Sequence, residues 1–163
     1  MGCKQMIIDV SKDLLPNCLD VLKSSYEDSA VAFGMTEENC PYRGRTRLPL
    51  KELEKERNNG CIMYAYLLND KMVAFLSLSV RGEVLCINDI AVMPDYQNQG
   101  IGNKLLHFSK SKAKELGCQK IRLGMIDDNT KLKAWYESHG FKTIDLKKYD
   151  TVFYTVGTME LSL

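Results

Sequence analysis

Long apolar runs are missing from this 163-residue chain; the longest are strand-sized, so no segment reads as a membrane span. Metal-ligand spacing is missing as well. Its 2 histidines, His107 and His139, stand apart from 6 scattered cysteines, and no C-x-x-C pair occurs. That excludes the usual zinc patterns, predicts no metal site, and argues against a secreted disulfide framework; reduced thiols in a cytoplasmic protein fit better. A dominant charge sign is absent too, with 22 Lys+Arg against 21 Asp+Glu and a formal net charge of +1. No global field therefore favours nucleic acid or an anionic membrane. Signal-peptide pattern, internal repeat, low-complexity tract and linker are all lacking, so one domain over residues 1–163 is expected.

What is present is ordinary globular composition, 45% hydrophobic and 26% charged, with a clear order of periodicities. A first strand is expected over 5–10. Ser11 then caps a helix to about Ser25, with Leu14, Leu15, Leu19 and Leu22 at helical spacing. Residues 26–50 look irregular, broken by Gly34, Pro41, Gly44 and Pro49, before a second helix over 50–58. Alternation then gives a hairpin (61–68 and 72–80) and a fourth strand over 84–92. A helix follows from Ile101 to about Leu116, then a strand over 120–126, a short helix over 130–138 and two closing strands, about 141–146 and 151–161. The resulting order, β-α-α-β-β-β-α-β-α-β-β, predicts a mixed α/β sheet flanked by helices, with one parallel pair at its central crossover.

Between that fourth strand and the long helix lies Gln97-Asn98-Gln99-Gly100-Ile101-Gly102. A strand that ends in a glycine-bearing turn opening a helix presents unpaired N–H groups and a partial positive charge, which hold phosphate oxygens without any Lys or Arg. No third glycine stands at the dinucleotide-binding spacing and no Gly-Lys-Ser/Thr follows, so nucleotide-fold readings are weak.

The stretch Ile90-Ala91-Val92-Met93-Pro94-Asp95-Tyr96-Gln97-Asn98-Gln99-Gly100-Ile101-Gly102 resembles the acyl-CoA-binding signature of the GNAT superfamily of N-acetyltransferases. Asn129 and Ala134-Trp135-Tyr136-Glu137-Ser138-His139-Gly140-Phe141 resemble that family's second conserved segment, and the element order agrees over most of the chain. The resemblance implies a GNAT-like sheet splayed between the fourth and fifth strands, with acetyl-CoA in the gap. It implies backbone contacts from Ile90, Ala91 and Val92 to pantetheine, with the Val92 N–H on the thioester carbonyl. The pyrophosphate would lie on Gln99, Gly100, Ile101, Gly102 and Asn103, with Gln97 and Asn98 closing the loop. Many relatives carry Arg where Gln97 stands, so one ion pair is missing here. Asn129 is implied as a pantetheine contact and Tyr136 as the general acid for the leaving thiolate. The function implied is direct acetyl transfer to a primary amine in a ternary complex. No nucleophile dyad is visible for a covalent route.

The base is open in the sequence. Asn88 stands where several relatives have Glu and cannot serve. Asp89 is next to it, but alternation points neighbours to opposite faces unless a β-bulge re-aims the side chain. Asp127 and Asp128 fit helix caps better than bases. Asp89 is therefore the candidate base, and a catalytically idle acyl-CoA-binding or sensing domain is the alternative. The acceptor region is expected around residues 26–50 and 146–154. There Glu27-Asp28 and Glu37-Glu38 could attract a cationic amine, and Arg43, Arg45 and Arg47 an anionic group or the 3′-phosphate of CoA. The acceptor, a small molecule or a protein N-terminus or lysine, is not specified, nor is the choice between monomer and homodimer. His107, His139 and Trp135 read as structural.

Overall fold

The computed structural model describes residues 2–163. The strands are β1 (Gln5–Asp9), β2 (Ile62–Leu68), β3 (Lys71–Arg81), β4 (Val84–Val92), β5 (Lys120–Ile126), β6 (Lys142–Lys148) and β7 (Thr155–Ser162). The helices are α1 (Leu15–Ala32), α2 (Leu50–Asn58), α3 (Ile101–Glu115) and α4 (Thr130–Ser138). All strands join one 7-stranded sheet in the order β1-β2-β3-β4-β5-β7-β6. Its one parallel pair, β4 with β5, is the pair joined through α3. This is the mixed α/β architecture the element order predicts.

Each face of the sheet buries its own core. Leu76, Leu78, Leu85, Ile87 and Ile121 pack under Leu105, Leu106 and Ala113 of α3 and Tyr136 of α4. On the opposite face, Ala65, Phe75 and Ala91 pack under Leu15, Cys18, Val21 and Leu22 of α1 and Leu53 of α2. Burying the Leu, Ile, Val and Phe side chains among these supplies on the order of 2 kcal/mol each and fixes both helix layers against the strands.

The first helix differs from expectation. Ser11 makes no capping bond; a 3-10 turn over Lys12–Leu14 precedes α1, which has a proline in its first turn and runs to Ala32. Tyr26 and Ala30 continue the stripe of Leu15, Cys18 and Leu22 at helical spacing, so helix continues wherever that stripe still finds the sheet. Glycine finally permits the turn out of it, Gly34 having φ +62.

The feature that shapes the site is a β-bulge in β4. Ser77 faces Asp89 and Leu78 faces Ile87, which leaves Asn88 without a partner on β3. A bulge bends its strand and reverses the alternation of facing. Leu85 and Ile87 point to the α3 side; beyond the bulge, Ile90 and Val92 pack on that side and Ala91 lies on the α1 side. Asp89, in step with Ala91, is thereby delivered to the α1 side. At the same place β4 leaves β5. Their ladder runs only from Val84↔Lys120 to Ile87↔Leu123, although β4 stays paired with β3 up to Val92 and β5 with β7 up to Ile126. The expected splay between the fourth and fifth strands is present.

Candidate active site

The ladder dictates what lines the splay. Met93 N donates to Val73 O at 2.9 Å. Antiparallel partners alternate between bonded and non-bonded pairs, so Ala91 bonds to Phe75 while Ile90 and Val92 turn their N–H and C=O groups away from β3. Those groups face the gap left by β5. The Ile90 carbonyl accepts from the Tyr26 hydroxyl at 3.4 Å, and the Val92 carbonyl accepts from Gln97 Nε2 at 2.9 Å. The two N–H groups keep no ladder partner. Ala91 is placed differently from Ile90 and Val92: its backbone is bonded to Phe75 of β3 and its side chain lies in the core.

Past Val92 a 3-10 turn, Pro94–Tyr96, leads to the glycine loop. Asn98 at φ +60 and Gly100 at φ +83 fold the chain back onto the start of α3, with Gly100 at its N-cap and no side-chain cap. A Cβ on Gly100 would meet nothing within 4 Å, so the glycine is needed for its backbone angle and not for want of room. Lys104 N is bonded to Gly100 O, and Gln97 N to Pro94 O. Among the described residues no acceptor satisfies the amides from Asn98 to Asn103. A run of unpaired donors at a helix N-terminus is an anion cradle, suited to a pyrophosphate. Gln97 serves it through its side chain, tying the loop to the strand end. The Asn103 side chain is engaged elsewhere, accepting from Trp135 Nε1 at 3.2 Å and lying 2.9 Å from His139 Nε2. Gly102 lets that indole approach, since a Cβ there would lie 3.3 Å from Trp135 Cζ2. Trp135 and His139 thus brace the start of α3.

Tyr136 is 4% exposed and belongs to the α3-side core, edge-on to Phe141. Burial pushes its pKa up, and no hydrogen bond counters it. Its hydroxyl is therefore held as a neutral donor. Asn129 caps α4, its Oδ1 accepting from Leu132 N at 3.3 Å. The cap expected of Asp127 or Asp128 is thus supplied by Asn129. Asp127 pairs with Lys133 at 2.7 Å, and Asp128 accepts from Thr155 N at 2.7 Å, tying the β5–α4 turn to β7.

Asp89 is 2% exposed, and its partners come from α1 and from the loop that precedes α2. Arg45 Nε lies 2.7 Å from its Oδ1, and the Tyr26 hydroxyl lies 3.4 Å from the same oxygen. Asp89 Oδ2 is sealed from solvent without a hydrogen bond. Burial lifts Asp89 from 3.8 to about 7, outweighing the pull of Arg45. Arg45 is itself gripped by Glu56 of α2 through paired bonds of 2.9 Å. Its presentation costs strain, because Tyr42 (φ 51), Arg43 (φ 49) and Arg45 (φ 75) all adopt left-handed backbone. Such residues cost on the order of 1–3 kcal/mol each and persist where surrounding contacts over-determine them. Arg43 to Glu27 at 2.7 Å and Arg45 to Glu56 are those contacts here.

The expected roles of the loop charges are corrected by this pairing. Arg43 is taken by Glu27, Arg45 by Glu56 and Asp89, and Arg47 stands 3.8 Å from Glu37. The arginines latch the segment between α1 and α2 and do not form a free anion site. Tyr26 and Glu56 are the residues missed, and Arg45, expected to bind an anionic ligand, is instead a partner of Asp89. The signal for Tyr26 was its place on the α1 stripe; for Arg45 and Glu56, whose partner lies across the fold, the sequence carried none. Among the described residues no group of three or more His, Cys, Asp and Glu could hold a metal ion, and no helix is long and apolar enough to cross a membrane.

A mixed sheet splayed beside a glycine-opened helix N-terminus defines an acyl-CoA N-acyltransferase fold. The structure overlays the crystal structure of the ribosomal-protein-S18-alanine N-acetyltransferase from Escherichia coli with a TM-score of 0.78, at 21% identity over 98% of this chain and 94% of that one. It overlays the PaiA N-acetyltransferase of Thermoplasma acidophilum, solved with coenzyme A, with a TM-score of 0.76 at 19% identity over 100% of both chains. In sequence, 80 residues are 34% identical to the [ribosomal protein bS18]-alanine N-acetyltransferase of Escherichia coli (strain K12), covering 49% of this chain. Another 60-residue match, 33% identical and covering 37% of this chain, is to thialysine N-epsilon-acetyltransferase of Bos taurus. The matches span 54% and 35% of those relatives' own lengths. The family model for the acetyltransferase (GNAT) family matches residues 25–141. The chain belongs to the GNAT acetyltransferase family.

Proposed function

We propose that this protein transfers an acetyl group from acetyl-CoA to a primary amine directly, in a ternary complex. The observation that carries the reading is the continuity of unpaired donors, from the Ile90 and Val92 N–H groups in the splay to the amides of Asn98–Asn103. That line fits a ligand with amides along its length and phosphates at one end. The relatives named above, all N-acetyltransferases, support the same donor.

In this reading the loop amides hold the pyrophosphate, and Asn129 contacts the pantetheine arm with its remaining side-chain donor. The Val92 N–H faces the thioester carbonyl and stabilises negative charge there; loss of such a donor typically costs about 10²–10³ in rate. Tyr136, kept neutral by burial, donates to the departing sulfur. Asp89 takes the acceptor's proton, since an alkylammonium with a pKa of about 10.4 must lose one before nitrogen can attack. The idle-binder alternative rests on the want of a base, and Asp89, turned to the α1 side by the bulge, supports the enzyme reading instead. We place the acceptor, a small amine or a protein N-terminus or lysine, on the α1 side of the sheet, the side on which Asp89 lies buried.

Thermal unfolding with and without ligand, followed by thiol release across a panel of amines, tests this. Acetyl-CoA at 100 times its Kd should add about 2.7 kcal/mol of stability, and NAD and ATP none. Thiol release with at least one amine is expected. Stabilisation without release from any amine would instead establish the sensing alternative.

A further inference from the structure

Asp89 has no open path to the cleft of its own. Its Oδ2 is sealed and Oδ1 is occupied by Arg45 at 2.7 Å. On the splay side the group in reach is the Tyr26 hydroxyl, 3.4 Å from Asp89 Oδ1 and 3.4 Å from the Ile90 carbonyl. Because that carbonyl points into the gap between β4 and β5, the hydroxyl sits at the junction of buried carboxylate and cleft. We infer that Tyr26 is a further catalytic residue: its hydroxyl passes the proton of the acceptor ammonium to the Asp89 carboxylate. The inference rests on the acetyl-transfer reading above.

The step balances. The ammonium N–H bond breaks and its proton moves to Tyr26 Oη as the Tyr26 proton moves to Asp89 Oδ1. Tyr26 emerges as the neutral phenol it was, and nothing is oxidised or reduced. Contacts of 3.4 Å are long for O–H···O bonds, which is common before the acceptor closes the site. The surrounding charges favour the transfer. Arg45 from the loop carries +1 and Glu56 from α2 and Asp89 from β4 carry −1 each, so the ionised cluster is one negative charge in excess. An entering ammonium neutralises that excess, and protonated Asp89 leaves an Arg45–Glu56 pair that is neutral by itself. Burial, Asp89 and Tyr136 of α4 all resist ionisation of Tyr26, so it relays a proton without storing the charge. Cys61 stands near the same cluster, with its thiol pKa raised chiefly by burial, and is no competing base.

The test is the pH profile of kcat/KM for wild type, Tyr26→Phe, Asp89→Asn and the double variant, on an amine that wild type acetylates. A peptide α-amine, with a pKa of about 7.7–8.0, is the most convenient. Near pH 6.5, Tyr26→Phe should lose on the order of 10²-fold, with KM for acetyl-CoA unchanged. The deficit should shrink above the pKa of the amine, where no proton needs removing, and the double variant should be no worse than Asp89→Asn. Tyr26→His, which restores a group able to pass a proton, should recover part of the loss and guards against a folding defect in the Phe variant. A deficit constant across pH, additive losses in the double variant, or a Tyr26→Phe enzyme equal to wild type would each overturn the relay and leave the acetyl-transfer reading standing. A wild type that binds acetyl-CoA but turns over no amine would overturn both.

Discussion

Replacing Asp89 by Asn should make the protein more stable and less active, with both effects growing in over the same pH window. In the folded chain burial holds the Asp89 proton up to about 7, against 3.8 for an ordinary aspartate. The folded chain therefore binds more protons than the unfolded one between those values. The contribution of Asp89 to stability is fully present below about pH 4 and is lost as the pH rises to about 7. The change from 3.8 to about 7 corresponds to at most about 4 kcal/mol. Asn has the same shape and no titration, and Arg45 retains Glu56 as a partner. Melting temperatures of the two proteins, compared from pH 4 to pH 8, should therefore diverge in favour of Asp89→Asn. At about 2–4 °C per kcal/mol for a chain of this size, the relative gain is on the order of 10 °C. Over the same window wild-type kcat/KM should rise through about pH 7 as the carboxylate forms, and Asp89→Asn should lose that limb with about 10²–10⁴ of the rate. Melting curves that stay parallel, or an Asn variant that keeps the rise near pH 7, would refute the reasoning.

Two further substitutions separate the donor site from the chemistry. Gly100→Ala forces a left-handed angle on a residue with a Cβ, at about 1–2 kcal/mol, or roughly 2–8 °C in melting temperature. Calorimetry should also show weaker acetyl-CoA binding as the cradle opens, and unchanged affinity would separate the loop from the cofactor. Tyr136→Phe removes a hydroxyl that makes no hydrogen bond, so stability and acetyl-CoA affinity should hold while turnover falls by about 10²-fold or more; unchanged turnover would remove Tyr136 from the acid role.

The donor half of the site was legible in the sequence because it is built from local chain. The β4 strand, the Pro94 turn, Gly100 and the first turn of α3 are consecutive, and the conformation each residue prefers agrees with its neighbours. The ends of β2 to β5 were legible for the same reason, since alternation and turn residues are short-range signals, whereas β6 runs on to Lys148 and β7 starts at Thr155 and not at 151. The segment between α1 and α2 was not. Tyr42, Arg43 and Arg45 adopt backbone angles that their own preferences oppose, and the ion pairs that hold them there come from Glu27, Glu56 and Asp89. Charge pairing across tens of residues leaves no periodic trace. Arg43, Arg45 and Arg47 read as candidates for an anionic group because nothing local showed them to be paired.

One unpaired residue explains why both halves meet. Had β4 been regular, Asp89 would share a face with Leu85 and Ile87 and sit under α3, an unpaired carboxyl in an apolar core. Asn88, inserted opposite no residue of β3, turns Asp89 to the α1 side, where Tyr26 and Arg45 reach it. The same insertion falls where β4 parts from β5, so the backbone of Ile90 and Val92 is released into the gap one step after the carboxylate is re-aimed. Donor-facing amides and the proton acceptor are thus set by a single irregularity and lie on the two sides of one strand. Deleting Asn88 would close the bulge with Asp89 still opposite Ser77 and on the α1 side, so acetyl-CoA affinity in that variant reads the release of β4 from β5 separately from the aim of the carboxylate.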